Sequence, residues 1–189
     1  MPLTPPGIAA ALIPSLLASG NTGIAVPQFA LGVATGVTLF AQTMVVASVD
    51  SGTLGVGATT LPLLVPQPLL LSSLLAGFAA SATVGILAPA VAAGLSVGLN
   101  IGFLQGLLIM THPSVGLGAG VAKFVPAGAV PAMVAGFAAA GMIGPLAIKT
   151  ATGFGIGLTT LFAAYTLPVP IMGPPSPIPS SGAGIGKIV

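Results

Sequence analysis

The chain has 189 residues and only four formally charged side chains, Asp50, Lys123, Lys149 and Lys187. Charged residues make up 2% of the sequence and hydrophobic ones 55%, with a mean hydropathy of +1.17, whereas an ordinary soluble domain carries about 25% charge. So few charges cannot cover a soluble monomer's surface, one acid cannot supply a carboxylate pair, zero cysteines exclude thiolate sites, and three scattered lysines do not make the phosphate-binding face of a nucleic-acid binder.

Nearly every position is apolar, so glycine, proline and polar clusters carry the segmentation. The first apolar piece, Ile8 to Leu17, is too short to span a bilayer and ends at Ser19-Gly20-Asn21-Thr22-Gly23. It lacks the positive leader of a secretory signal, and Pro14 interrupts it. A second piece runs from Gln28 to Val49 and stops at Asp50-Ser51-Gly52, where Asp50 is placed to cap a helix beginning near Leu54. A short piece from Leu54 to Leu64 ends at Val65-Pro66-Gln67-Pro68. The tract from Leu69 to Met110 is long enough for two helices, divided near Pro89 and Gly94. It ends at Thr111-His112-Pro113, and a glycine loop closing on Lys123 follows. Ala132 to Ile148 and Phe154 to Leu167 are the last apolar pieces, before a Pro, Ser and Gly tail over residues 168–189 that reads as extended. Strand is the competing reading. Barrel strands alternate in polarity, however, and these segments are apolar on both parities and rich in Ala and Leu, which favour helix.

The chain also repeats itself. Ala76-Gly77-Phe78-Ala79-Ala80 recurs as Ala135-Gly136-Phe137-Ala138-Ala139, and the same shift of 59 carries Gly85 onto Gly144, Gly94 onto Gly153, Gly98-Leu99 onto Gly157-Leu158 and Phe103 onto Phe162. A third, degenerate copy is suggested by Val26-Pro27-Gln28 against Val65-Pro66-Gln67, and by Gly55-Val56-Gly57 with Thr59-Thr60-Leu61 against Gly155-Ile156-Gly157 with Thr159-Thr160-Leu161. The expected fold is all-α: a single domain of about six apolar helices in three hairpin-like units, residues 26–64, 65–124 and 125–167, forming a membrane-type bundle with a short N-terminal segment and an extended tail.

Glycines recur at helical spacing. Gly94, Gly98, Gly102 and Gly106 form one four-residue stripe; Gly77, Ser81 and Gly85 form another, with Gly136, Ala140 and Gly144 as its repeat partner. Gly32-Gly36 and Gly153-Gly157 add shorter ones. Each mid-helix glycine costs about 1 kcal/mol against Ala, so such stripes are kept where backbones must approach closely. They are the expected helix-packing residues, within this chain or between subunits.

Catalytic, cofactor and metal sites are not expected. His112 is the only histidine and has no acidic or cysteine companion nearby. Gly116-Leu117-Gly118-Ala119-Gly120 before Lys123 lacks the adjacent Gly-Lys-Ser/Thr of a phosphate loop. Lys123 and Lys149 flank an apolar segment as interfacial lysines do.

Thr111-His112-Pro113, the run Val115 to Lys123 and the terminal Gly184-Ile185-Gly186-Lys187-Ile188-Val189 resemble the small hydrophobic, Gly/Ala-rich virion proteins of tailed bacteriophages. That resemblance implies a structural component at a tail tip or baseplate hub, sheathed by other subunits until it meets a host membrane, and it carries over no site residues. The expected function is that of a non-enzymatic, membrane-inserting structural protein forming a scaffold or passage. Its partners would be a lipid bilayer or apolar protein subunits in an oligomer or larger assembly, with no nucleic acid, and its location a membrane or virion rather than free cytoplasm. The alternatives are a resident channel, transporter subunit or holin-like pore, and a packing subunit buried in an assembly without lipid contact.

Overall fold

The computed structural model describes residues 4–41, 45–50, 56–59, 67–83, 85–105, 107–111, 117–125, 128–164, 167–172 and 182–187. Six helices carry the body: α1 (Pro5–Ala18), α2 (Val26–Ala41), α3 (Gln67–Ala80), α4 (Ala88–Gln105), α5 (Ala129–Ala139) and α6 (Pro145–Ala164). Prolines mark their starts. Pro5, Pro27, Pro68, Pro89, Pro131 and Pro145 all fall in a first turn, where the missing N–H costs nothing and the fixed φ fits the helix.

The other ends of α1, α3 and α5 share one device. Gly20, Ala82 and Gly141 adopt left-handed φ values of 88°, 55° and 76°. The N–H groups of Gly20 and Asn21 donate to the carbonyls of Leu17 and Leu16, those of Ala82 and Thr83 to Ala79 and Phe78, and those of Gly141 and Met142 to Ala138 and Phe137. This is the paired closure of a Schellman cap. It turns the chain sharply, so each odd-numbered helix is followed by an antiparallel partner after only a few residues.

Each helix packs on the next in sequence, and α6 packs back on α1. The six helices therefore close into a ring. Three strand pairs follow the three helix pairs: β1 (Val45–Asp50) with β2 (Val56–Thr59), β3 (Leu107–Thr111) with β4 (Leu117–Val125), and β5 (Leu167–Met172) with β6 (Gly182–Lys187). Their hydrogen-bonded order is β1-β6-β5-β4-β3-β2, antiparallel throughout, and β1 and β2 at its two ends also lie against each other. The strands thus repeat the cyclic order of the helices. Pairing of β5 with β6 is confined to Ile171 and Met172, in keeping with Pro168 and Pro170, which have no N–H to give a ladder.

Three repeats are visible in burial as well as in connectivity. Shifts of 62 and then 59 positions carry Ala30 to Ala92 and Ala151, and Val33 to Leu95 and Phe154; all six side chains are fully buried. The same shifts carry Leu12 to Leu74 and Met133, and Leu16 to Phe78 and Phe137, again all in the core. Phe29 of α2 ties neighbouring helices together, stacking on Phe78 with ring centroids 5.4 Å apart and meeting Phe154 edge-on at 5.3 Å. Two buried hydroxyls are satisfied locally: Ser96 Oγ donates to the Ala93 carbonyl at 2.8 Å and Thr38 Oγ1 to the Ala34 carbonyl at 2.9 Å.

Six helices in consecutive pairs agree with the helical reading, but they are a different six. The short N-terminal piece is a full helix, α1, which runs through Pro14. The helix expected over Leu54 to Leu64 is absent from its described part, where Val56–Thr59 is strand. The all-α expectation describes the helical body and leaves out the sheet. Its strands lie at the end of the apolar piece Gln28 to Val49, inside the piece Leu54 to Leu64, at the end of the long apolar tract, in the glycine loop around Lys123 and in the tail. The apolar stretch Ala132 to Ile148 is likewise two helix pieces around a turn.

The first repeat unit is also redrawn. The helix pairs place α1 with α2, so the first unit begins near Pro5 and not at residue 26. Pro27 corresponds to Pro89, since both open the second helix of a pair; the match of Val26-Pro27-Gln28 to Val65-Pro66-Gln67 joins unlike places. The echo of residues 55–61 in residues 155–161 sets a stretch whose described part, Val56–Thr59, is strand against a helix. Among the described residues no helix is long and apolar enough to cross a membrane, which corrects the membrane-type bundle. The longest, α6, has 20 residues, about 30 Å at 1.5 Å per residue, but it carries Lys149, several threonines and three glycines.

Candidate functional site

Two features stand out once the ring is built: the seams between units, and the end of the ring where the helix turns gather. The seam between α2 and α3 is a backbone-to-backbone contact. A Cβ on Gly77 would lie 2.9 Å from the Gly36 Cα and closer still to the Gly32 carbonyl and Gly36 nitrogen. The seam between α4 and α5 repeats it, with a Cβ on Gly136 falling 2.8 Å from the Gly98 Cα and against the Gly94 carbonyl. No side chain fits either place. At the third seam, Gly153 and Gly157 of α6 meet Leu12 and Leu16 of α1 and Ser19 just past its end, and Ser15 stands where the other two units have Gly77 and Gly136.

The expected packing glycines thus divide. Gly77, Gly94, Gly98, Gly136, Gly153 and Gly157 lie in seams within this one chain. Ser81 and Ala140 lie in turns just past α3 and α5; the Ser81 hydroxyl donates to the Phe78 carbonyl at 3.1 Å and shares a 2.8 Å hydrogen bond with Thr83. Gly85 and Gly144 are turn residues with nothing within 4 Å of a Cβ, since the helices end before reaching them. Gly102 is in α4, and Gly106 lies outside the described residues. Two partners were missed. Gly155 packs against Val130 of α5, its Cβ position 2.6 Å from the Val130 Cα, and Ser15 offered no glycine spacing to find it by.

The chemistry-bearing residues do not converge. Asp50 ends β1 opposite Gly182, and the next described residues, Val56–Thr59, are strand in place of the helix expected after it. Lys123 lies in β4 opposite Ile109, and the described part of the glycine run before it, Leu117 to Gly120, is strand and not a phosphate loop. Lys187 pairs in register with Val45. His112 lies outside the described residues. Among the described residues no group of three His, Cys, Asp or Glu side chains could hold a metal. Lys149 is the fifth residue of α6, which continues through it.

The turn end is different. Here Ile24 is 98% exposed, Ile86 96% and Ile143 84%, with Leu87 and Leu146 each at 66%. Each turn between paired helices presents one of the three isoleucines. Lys149 is the one charged side chain among the described residues of this end. It lies over Gly20, a Cβ on which would be 3.6 Å from its Nζ, so its charge sits at the carbonyl end of α1 and complements that helix's dipole. Beside it, Thr150 Oγ1 donates to Asn21 Oδ1 at 2.6 Å, and Asn21 Nδ2 donates to Ser19 Oγ at 3.0 Å. A shallow open cleft of about 330 Å³ between the first two turns is lined by Ala25, Val26, Gln28, Phe29, Ala82 and Thr83. Comparison with family models, with curated proteins and with solved structures finds no match.

Proposed function

We propose that this chain is a non-enzymatic structural protein that meets a membrane with its apolar turn end while remaining a folded ring. The observation that carries the reading is the near-complete exposure of Ile24, Ile86 and Ile143, one in each turn at the same end of a body whose helices bury an apolar core. Isolated exposed apolar residues are ordinary, but here one recurs in each of the three turns, at the same end of the ring. The filled positions at Ala30, Ala92, Ala151, Val33, Leu95 and Phe154 favour a scaffold over a passage.

A virion is the setting this reading favours, at the tip or hub of a tail. A single chain that repeats one module three times around an axis can sit on the axis of a larger assembly and offer equivalent contacts to symmetric neighbours. Its scarcity of charge suits a place sheathed by other subunits. The test is flotation of the purified protein with liposomes carrying an entrapped dye. Binding without dye release is expected. Failure to float removes the membrane role, and stoichiometric dye release replaces the scaffold with a passage.

A further inference from the structure

We infer that the three turns act as a tripod, seating the ring end-on in the interfacial layer of an anionic bilayer, with Ile24, Ile86 and Ile143 as the feet and Lys149 as the headgroup contact. This rests on the membrane-contact reading above and adds to it a named surface, an orientation and a lipid charge.

The turns are brought together by the ring itself. Gly32 of α2 faces Ser81 at the end of α3, Gly153 of α6 faces Ser19 at the end of α1, and Lys149 lies over Gly20. All three turns therefore lie at the end opposite the strands. Each foot follows from local chain geometry: a Schellman cap closes the first helix of a pair, and the next few residues must cross to the second helix outside the packed seam. Ile24 and Ile86 both follow a glycine, Gly23 and Gly85, while Ile143 precedes Gly144.

A protein groove would demand shape from its ligand. Three separated apolar points ask only for a flat apolar layer, which the boundary between headgroups and acyl chains provides to a depth of about 5–10 Å. Helices too short or too polar to span are no obstacle to that mode. The charge also fits. The described residues of this end hold one cation and no acid, and a lysine near an anionic membrane surface gains attraction from it. Lys149 follows Leu146 and Ile148 in the same helix turn, which lets its stem lie along the interface while the ammonium reaches the headgroups.

The absence of cysteine from the chain makes the test direct. Single variants Ile24→Cys, Ile86→Cys and Ile143→Cys carry an environment-sensitive dye in the full chain. Leu39→Cys and Leu69→Cys are the controls, because both are exposed and lie near the strand end of α2 and α3. On addition of phosphatidylcholine vesicles containing phosphatidylglycerol, the three turn positions should shift to the blue together and the controls should not. A shift at all five positions, at the controls only, or at fewer than three turn positions overturns the tripod while leaving membrane contact standing. No shift anywhere, with no flotation, removes both. In the otherwise unlabelled chain, Lys149→Gln should weaken binding to the anionic vesicles about fivefold, leave binding to pure phosphatidylcholine unchanged, and preserve the helical circular dichroism. Equal loss on both lipids overturns the headgroup role.

Discussion

The two inner seams of the ring and its closing seam do the same job by different means. Between α2 and α3, and between α4 and α5, glycine meets glycine and the backbones touch. Between α6 and α1, Ser15 takes the place of the third glycine. There Asn21 links the two helices instead, accepting from Thr150 at 2.6 Å while its amide donates to the Leu16 carbonyl at 3.2 Å. Close backbone approach yields dispersion and weak C–H···O contacts at the expense of helix propensity. A polar clamp gives up some of that contact and gains direction. The ring thus brings backbones into contact where one unit follows another along the chain, and adds a side-chain hydrogen bond where its two ends meet.

Mutations can break this contrast. The largest effect is expected for Gly77→Ala and Gly136→Ala. Each new methyl would fall within 3 Å of backbone atoms that cannot swing aside, so the seam must part, at a cost of about 1–3 kcal/mol. Thermal or denaturant unfolding followed by circular dichroism reads it. Ser15→Ala at the equivalent place should change stability far less, because that seam already accommodates a side chain. If all three cost the same, the contrast between seams is wrong.

A smaller effect tests the clamp. Thr150→Val keeps the shape and removes the donor to Asn21, and a loss of about 1 kcal/mol is expected, as for a typical hydrogen bond. Faster hydrogen exchange confined to α1 and the N-terminal half of α6 would show where the ring loosens. The smallest effect has the opposite sign. Ala82 is the one non-glycine residue with positive φ among the described residues, and the other two units have glycine at the same cap. Ala82→Gly should therefore stabilise the fold by about 0.5–1 kcal/mol, whereas the same exchange at Ala140, whose φ is −82°, should not.

The sequence makes the helical body, the 59-residue shift and most of the inner seams legible, because glycine at four-residue spacing has few uses inside an apolar helix other than close packing; the helix divisions it suggests at Gly94 and after Ile148 fall inside α4 and α6. It hides the first repeat. Ser15 and Asn21 stand there in place of Gly77 and Thr83, so the Ala-Gly-Phe-Ala-Ala run that joins the second and third units has no counterpart in α1, and common Val-Pro and Gly-Thr pairs offer false matches. The strands are hidden for another reason. Leu107–Thr111 continues an apolar run without punctuation, and β5 holds two prolines, so only pairing across the ring gives these stretches their form. The apolar tip is hidden as well, because a sequence apolar throughout does not distinguish an isoleucine in the core from one on the outside.

Three units close into a ring that holds its three turns at one end. Distances between spin labels on the pairs Ile24→Cys/Ile86→Cys, Ile86→Cys/Ile143→Cys and Ile24→Cys/Ile143→Cys measure this most directly. A closed ring predicts three similar distances. Two short distances and a third about the sum of them would mean an open row of hairpins, and would contradict the account.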